Sequence, residues 1–266
     1  MSINPKIGRP TFKLVFATHE DAKSWEFGKA FLNFLKTHYP DLFPEFLGHC
    51  EPINVPVSDD NPLNSIKPYW VEDMSYWRRK SKINSEVGIY YPVKMYPDGM
   101  SKLYFYINFC PDFNLGKFLL DAASAYKSDF SALVVETKNS QNLSESAQFV
   151  YGEQISLPAI RTYKEPMANL AWAQFMSNRF MARFFKDDRE RVSSLTAEEL
   201  GFDEVRTIDK GLYWRLTPSP YDVDEDFTGF NKLRDRAKEV IGSQFFLDPE
   251  KAREEANQPP DFSNSM

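Results

Sequence analysis

Apolar and polar positions recur along the chain with two different periods. The run Phe12–Ala17 reads as a strand and Thr18 with Asp21 as a capping box. Phe27, Ala30, Phe31, Phe34 and Leu35 then follow at the three-and-four spacing of an amphipathic helix. Pro52, Pro56, Pro62 and Pro68 punctuate the next stretch, which reads as a long connection with an edge strand where Ile53, Val55 and Val57 alternate. Val87–Met95 and Leu103–Phe109 are β-type runs flanking Pro97-Asp98-Gly99. Proline presets φ there and glycine accepts a positive one, so the segment predicts a hairpin. Leu115, Phe118, Leu119, Ala122 and Tyr126 predict a second helix, and Ala132–Val135 a strand. The order β-α-(β)-β-β-α-β predicts an α+β fold, an antiparallel or mixed sheet with helices packed on one face, related to ferredoxin-like folds.

The polar stretch from Thr137 to Ser146 divides the chain. Residues 1–140 form one α+β half, residues 141–248 a second half packed on the first, and residues 249–266 a polar tail. The second half is expected to contain a helix over Met167–Phe185, with Leu170, Ala171, Phe175, Met181 and Phe185 inward. Thr196 and Glu199 form a capping box for a short helix ending near Gly201. A hairpin of Glu204–Ile208 and Leu212–Leu216 turns at Asp209-Lys210-Gly211, and Phe230, Leu233, Ala237 and Ile241 mark a last helix.

Composition narrows the class. The 266 residues are 42% hydrophobic and 26% charged, which excludes a disordered or fibrous chain. Lys and Arg total 32 against 38 Asp and Glu, a formal charge of −6. That balance argues against nucleic acid and anionic membranes as partners and suits a basic one. Two cysteines, Cys50 and Cys110, provide no disulfide framework. The first apolar stretch is shorter than a secretory signal core, and no run approaches the roughly 20 apolar residues of a membrane span. A soluble, cytoplasmic protein is expected.

Familiar catalytic patterns are missing from the sequence. The three histidines, His19, His38 and His49, lack the spacing of a zinc site, and Cys50 beside His49 reads as a helix-to-loop junction. Ser124-Ala-Tyr-Lys127 has Ser-x-x-Lys spacing without its companion motifs, and 11 glycines leave little material for a phosphate loop. No metal, cofactor or catalytic residue is assigned. Asp222-Val-Asp224-Glu225-Asp226 starts like a calcium loop, yet Phe227 stands where glycine is needed and Leu233 where a glutamate belongs. These acids instead precede the last helix, where negative charge favours the N-terminus. Between Lys186 and Asp226 there are 12 acids and six bases, a local balance equal to that of the whole chain. Gathered on one face they would speed association with a basic protein; dispersed, they would serve solubility.

A basic run, Arg78-Arg79-Lys80-Ser81-Lys82, stands beside the aromatics Tyr69, Trp70, Tyr76 and Trp77, a pattern shared by single-strand nucleic-acid surfaces and by charge-protected sheet edges. Together with Ser85-Glu86-Val87-Gly88, the block Tyr76-Trp77-Arg78-Arg79-Lys80-Ser81 resembles that of the bacterial immunity protein 52 family. The resemblance extends over roughly residues 12–240, with Trp77, Arg78, Arg79, Lys80 and Gly88 as its specific part. It implies a non-enzymatic antidote that binds a cognate polymorphic or type VI secreted toxin, in some cases a nuclease, and supplies no catalytic site. Asp222, Asp224, Glu225 and Asp226 are then the candidate toxin-binding residues, and the Trp77 block reads chiefly as structural. Two other readings stand beside it: a hydrolase using Asp222 and Asp224 as general acid and base, and an assembly component of a phage or secretion apparatus.

Overall fold

β1 (Thr11–Thr18) runs through the middle of the molecule with all eight residues buried. Its Thr-Phe-Lys-Leu-Val-Phe-Ala-Thr sequence is largely β-branched and aromatic, which suits a pleated surface covered on both sides. The computed structural model describes residues 10–72, 74–92, 99–108, 110–137, 148–150, 153–155, 166–167 and 169–248. β1 pairs with β6 (Ser101–Ile107) on one side and β7 (Phe130–Glu136) on the other, both antiparallel. Beyond β6 lie β5 (Ser85–Tyr90), β4 (Met74–Arg79), β2 (Phe46–Gly48) and β3 (Val55–Pro56). Beyond β7 lie β10 (Ala173–Ser177), β12 (Gly211–Arg215) and β11 (Glu204–Ile208). These make a ten-stranded antiparallel sheet, and β8 (Gln148–Val150) and β9 (Glu153–Ile155) form a separate hairpin. The expected α+β class with an antiparallel sheet is what the chain adopts. Residues 140 and 141 lie outside the described residues, and the β7–β10 pairing carries the sheet from one half of the chain into the other.

The helices of the first half share one face, as their apolar stripes predict. α1 (Trp25–His38), α2 (Pro62–Trp70) and α3 (Leu115–Ala125) cover the side of Leu14 and Phe16. Phe16 meets Phe105 and Phe118 edge-on at 5.9 and 6.2 Å, and Trp70 stacks on Trp77 at 6.2 Å. The second half adds helices on the opposite face. Phe130 lies across from Ala17, hence away from Phe16, and packs at 5.3 Å on Phe180 of α4 (Asn178–Phe184). α5 (Arg189–Ser194), α6 (Ala197–Leu200), α7 (Asp222–Glu225) and α8 (Phe227–Ile241) complete that half, with Phe202 against Trp214.

Three local expectations differ from the structure. The helix expected over Met167–Phe185 is β10 followed by α4. A strand buried on both faces reads as a continuous apolar run, which periodicity does not distinguish from a buried helix. The helix begins only where Ser177 Oγ accepts the Phe180 N–H at 3.0 Å. The proline-rich connection contains α2: Asn61 caps it, Pro62 sits in its first turn where no N–H is needed, and Ile66 and Trp70 are buried one turn apart. The cap of α1 is Ser24, while Thr18 Oγ1 donates instead to the Lys127 carbonyl at 2.8 Å. The Thr196–Glu199 box and the β11–β12 hairpin form as expected. Gly211 is required there, because a Cβ would collide with the Met176 carbonyl of β10. Of the other expected features, Pro97, Asp98, the ends of both flanking runs at Met95 and Phe109, and the tail 249–266 lie outside the described residues.

Candidate functional site

After β12 the chain turns through Ser219 and Pro220 into α7, pinned by buried Val223 and Phe227 on either side of Asp224, Glu225 and Asp226. Asp222 accepts the Ser219 N–H at 2.9 Å. Asp226 caps α8 by accepting the Gly229 N–H at 2.9 Å. Two of the four candidate toxin-binding residues thus hold the backbone. Asp224 and Glu225 stand exposed between them; their N–H groups bond the Tyr221 carbonyl at 2.9 and 3.1 Å, and their carboxylates make no hydrogen bond or ion pair within the described residues.

The wider acidic region is partly neutralised within itself. Arg191 pairs with Asp188 at 2.9 Å, and Arg215 with Asp203 at 2.5 Å and Glu204 at 3.2 Å. Asp187, Glu190, Glu198 and Asp209 stay exposed, and their carboxylates have no partner within the described residues. They do not gather at one point. Arg191 donates to the Val240 and Ile241 carbonyls at 3.0 and 2.6 Å, which puts the acids of residues 187–190 at the C-terminal end of α8. Asp224 and Glu225 stand at its N-terminal end, roughly 20 Å away at 1.5 Å rise per residue. α8 itself exposes Lys232 and Arg236 between them. Between residues 186 and 226, Asp224 and Glu225 are the one pair of adjacent acids that are both exposed with side chains unpaired among the described residues.

The Trp77 block has its side chains engaged in the fold. Trp77 is buried, edge-on to Phe105 at 6.1 Å. Arg78 bridges Glu51 at 3.0 Å and its cross-strand neighbour Glu86. Arg79 donates to the Phe43 carbonyl at 3.1 Å and lies 3.5 Å from Glu45. Burial would push the Glu45 carboxyl up, but hydrogen bonds from Ser81 and the Lys80 and Ser81 N–H groups, with the charge of Arg79, hold it below the usual range. Lys80 Nζ sits 4.7 Å over the Phe46 ring. At Gly88 a Cβ would lie 2.9 Å from the Tyr90 ring, so the bare backbone lets that ring fold across it. Together these contacts fasten β2 to β4.

A third cluster escaped the sequence reading. Asp129, 1% exposed, lies just before β7. Its carboxylate accepts the His19 N–H at 2.9 Å and faces His19 Nδ1 at 3.1 Å. Arg179 grips both oxygens, through Nε at 2.6 Å and Nη2 at 3.0 Å, while Ser177 Oγ donates at 3.3 Å. Arg179 Nη2 also reaches Glu20 at 3.2 Å. Burial would raise the Asp129 carboxyl, but these hydrogen bonds and the guanidinium outweigh it and hold it below its ordinary value. The contributors lie 110 and 50 residues away along the chain, and no local motif announces them. An imidazole oriented by a carboxylate is also a catalytic element, yet here the Ser177 hydroxyl bonds the carboxylate. The arrangement is a clamp joining the ends of β1, β7 and β10.

Other reactive groups are occupied or muted. His49 stacks on Tyr69 at 4.5 Å, and Lys210 donates to Ser124 Oγ at 3.1 Å. Burial, with Asp112 nearby, pushes the Cys110 thiol up to about 11. Among the described residues no group of three or more His, Cys, Asp or Glu is placed to hold a metal ion, and no helix is long and apolar enough to cross a membrane.

No family model and no curated protein matches the chain, so the immunity protein 52 family remains a resemblance carried by the Trp77 block. Among solved structures the chain is similar to the Pseudomonas aeruginosa T6SS protein PA0821, with 10% identity and a TM-score of 0.44 over 92% of this chain and 86% of that one, a likeness too loose to transfer a role.

Proposed function

We propose that this protein is an immunity protein that neutralises a cognate secreted antibacterial toxin by stoichiometric binding. The observation that carries the reading is the exposed pair Asp224 and Glu225, held on a segment anchored by Val223 and Phe227, with carboxylates that meet no partner among the described residues. Carboxylates fixed in advance lose little freedom when a partner arrives, and they attract a basic one. A toxin that handles nucleic acid carries such positive charge to hold phosphates, and an acidic protein seated on it blocks their approach. The resemblance of the Trp77 block supplies the biological setting.

Co-expression with the toxin encoded beside it should rescue growth, and the purified pair should form a one-to-one complex. Reversing both charges, Asp224→Lys with Glu225→Lys, should slow association at low salt by about tenfold or more while leaving the melting curve in place. If no adjacent toxin binds the protein or is relieved by it, the reading is wrong. Salt-independent association, unaffected by the double reversal, would remove the acidic pair from it.

A further inference from the structure

The ten-stranded sheet finishes its two edges differently. β3 is two residues long and contains Pro56, which has no N–H to offer, a common way of blunting an edge. β11 is five residues long, keeps unbroken register with β12, and contains neither proline nor lysine. Its backbone directions follow from its neighbours. Leu216 N–H bonds the Trp172 carbonyl and Asn178 N–H the Lys210 carbonyl, both at 2.9 Å, so the even-numbered residues of β12 turn toward β10. Gly211, Tyr213 and Arg215 turn toward β11 and face Ile208, Arg206 and Glu204. Val205 and Thr207 are left with N–H and C=O groups pointing away from the sheet, and no strand among the described residues pairs with them.

We propose that this edge is an interface between two copies of the chain, each adding its β11 antiparallel to the other with Val205 opposite the partner's Val205. The choice of a second copy rests on charge. In that register Glu204 stands across from the partner's Arg206, and Arg206 across from the partner's Glu204, so one strand is its own complement. Arg206 is already poised on that face, 5.7 Å over the Tyr213 ring and 3.5 Å from its own Glu204. The register two residues along would set the two Arg206 side chains against each other, which like charges disfavour. The arrangement is a two-fold, self-matching contact that closes after two copies and extends the sheet across the joint. It does not depend on the toxin reading.

Sedimentation velocity should show a concentration-dependent species of twice 30.9 kDa. Glu204→Arg should weaken the dimer by about tenfold or more. The swap Glu204→Arg with Arg206→Glu restores the matching and should restore the dimer. Thr207→Pro removes only an outward N–H, so it should give a folded monomer by circular dichroism. In a Cys50→Ser, Cys110→Ser background, Val205→Cys should cross-link two copies on mild oxidation, because opposed Cα atoms there stand about 5.5 Å apart. A 30.9 kDa species at every concentration would overturn the proposal. So would a dimer indifferent to Thr207→Pro and Glu204→Arg, or cross-linking through Thr207→Cys in place of Val205→Cys.

Discussion

Arg78 and Arg79 on β4 and Asp129 before β7 both tie strands together with charge, and their surroundings differ sharply. The Arg78–Glu51 pair is 23% and 48% exposed, so water and salt compete for each partner. Asp129 is 1% exposed and is met by Arg179, His19 and Ser177 at once. An exposed pair contributes about 0–1 kcal/mol, whereas removing the buried Asp129 carboxylate takes the shared acceptor from His19, Ser177 and Arg179 at once. Conspicuous charge in a sequence is thus a poor guide to which charge holds the fold. The run of bases after Trp77 stands out by eye, and the lone Asp129 does not.

The largest effect should come from Asp129→Ala, at about 3–5 kcal/mol of unfolding free energy in urea titration; a loss under about 1 kcal/mol would level the contrast. The same residue sets a pH signature. Its folded carboxyl titrates below the ordinary value of about 4, so its contribution is complete above that pH and is lost as the pH falls through the folded value. Asp129→Asn should flatten the acid limb of the stability curve, and an unchanged limb would contradict the depressed carboxyl. In the other region the indole should matter and the bases should not. Trp77→Ala removes a buried ring packed on Trp70 and Phe105 and should cost about 3–5 kcal/mol by thermal or urea melting. Asp226→Ala, which uncaps α8, should cost about 1 kcal/mol. Arg78→Ala should cost under about 1 kcal/mol and fade further with added salt. An Arg78 loss approaching that of Asp129 would show that exposure is the wrong variable.

Much of this architecture was legible wherever one face of an element is buried and the other wet. α1, α3, the β11–β12 hairpin and α8 all followed from period and turn chemistry, and β1, though buried on both faces, from a short β-type apolar run that ends at polar residues. Legibility failed at β10, whose first four residues are buried and whose run passes directly into α4, so that strand and helix read as one helical segment. It failed also where proline supports an element, as Pro62 does in opening α2. Of the acidic segment, the helix-favouring position before α8 was readable, since Asp226 lies at the N-terminus of a periodic run. Which acids stay free was not, because that depends on Ser219 and Gly229 supplying N–H groups to two of them. The Asp129 cluster had no signal at all, since its members meet only after β1, β7 and β10 have paired.

β1 has one more consequence, for how the chain is made. Its partners β6 and β7 are completed only at residues 107 and 136, so the strand leaves the ribosome long before either neighbour exists. At about 5–20 residues per second, translation of the intervening segment takes on the order of ten seconds. Throughout that interval Phe12, Leu14, Val15 and Phe16 remain unsheltered on the nascent polypeptide, a natural handhold for a holding chaperone.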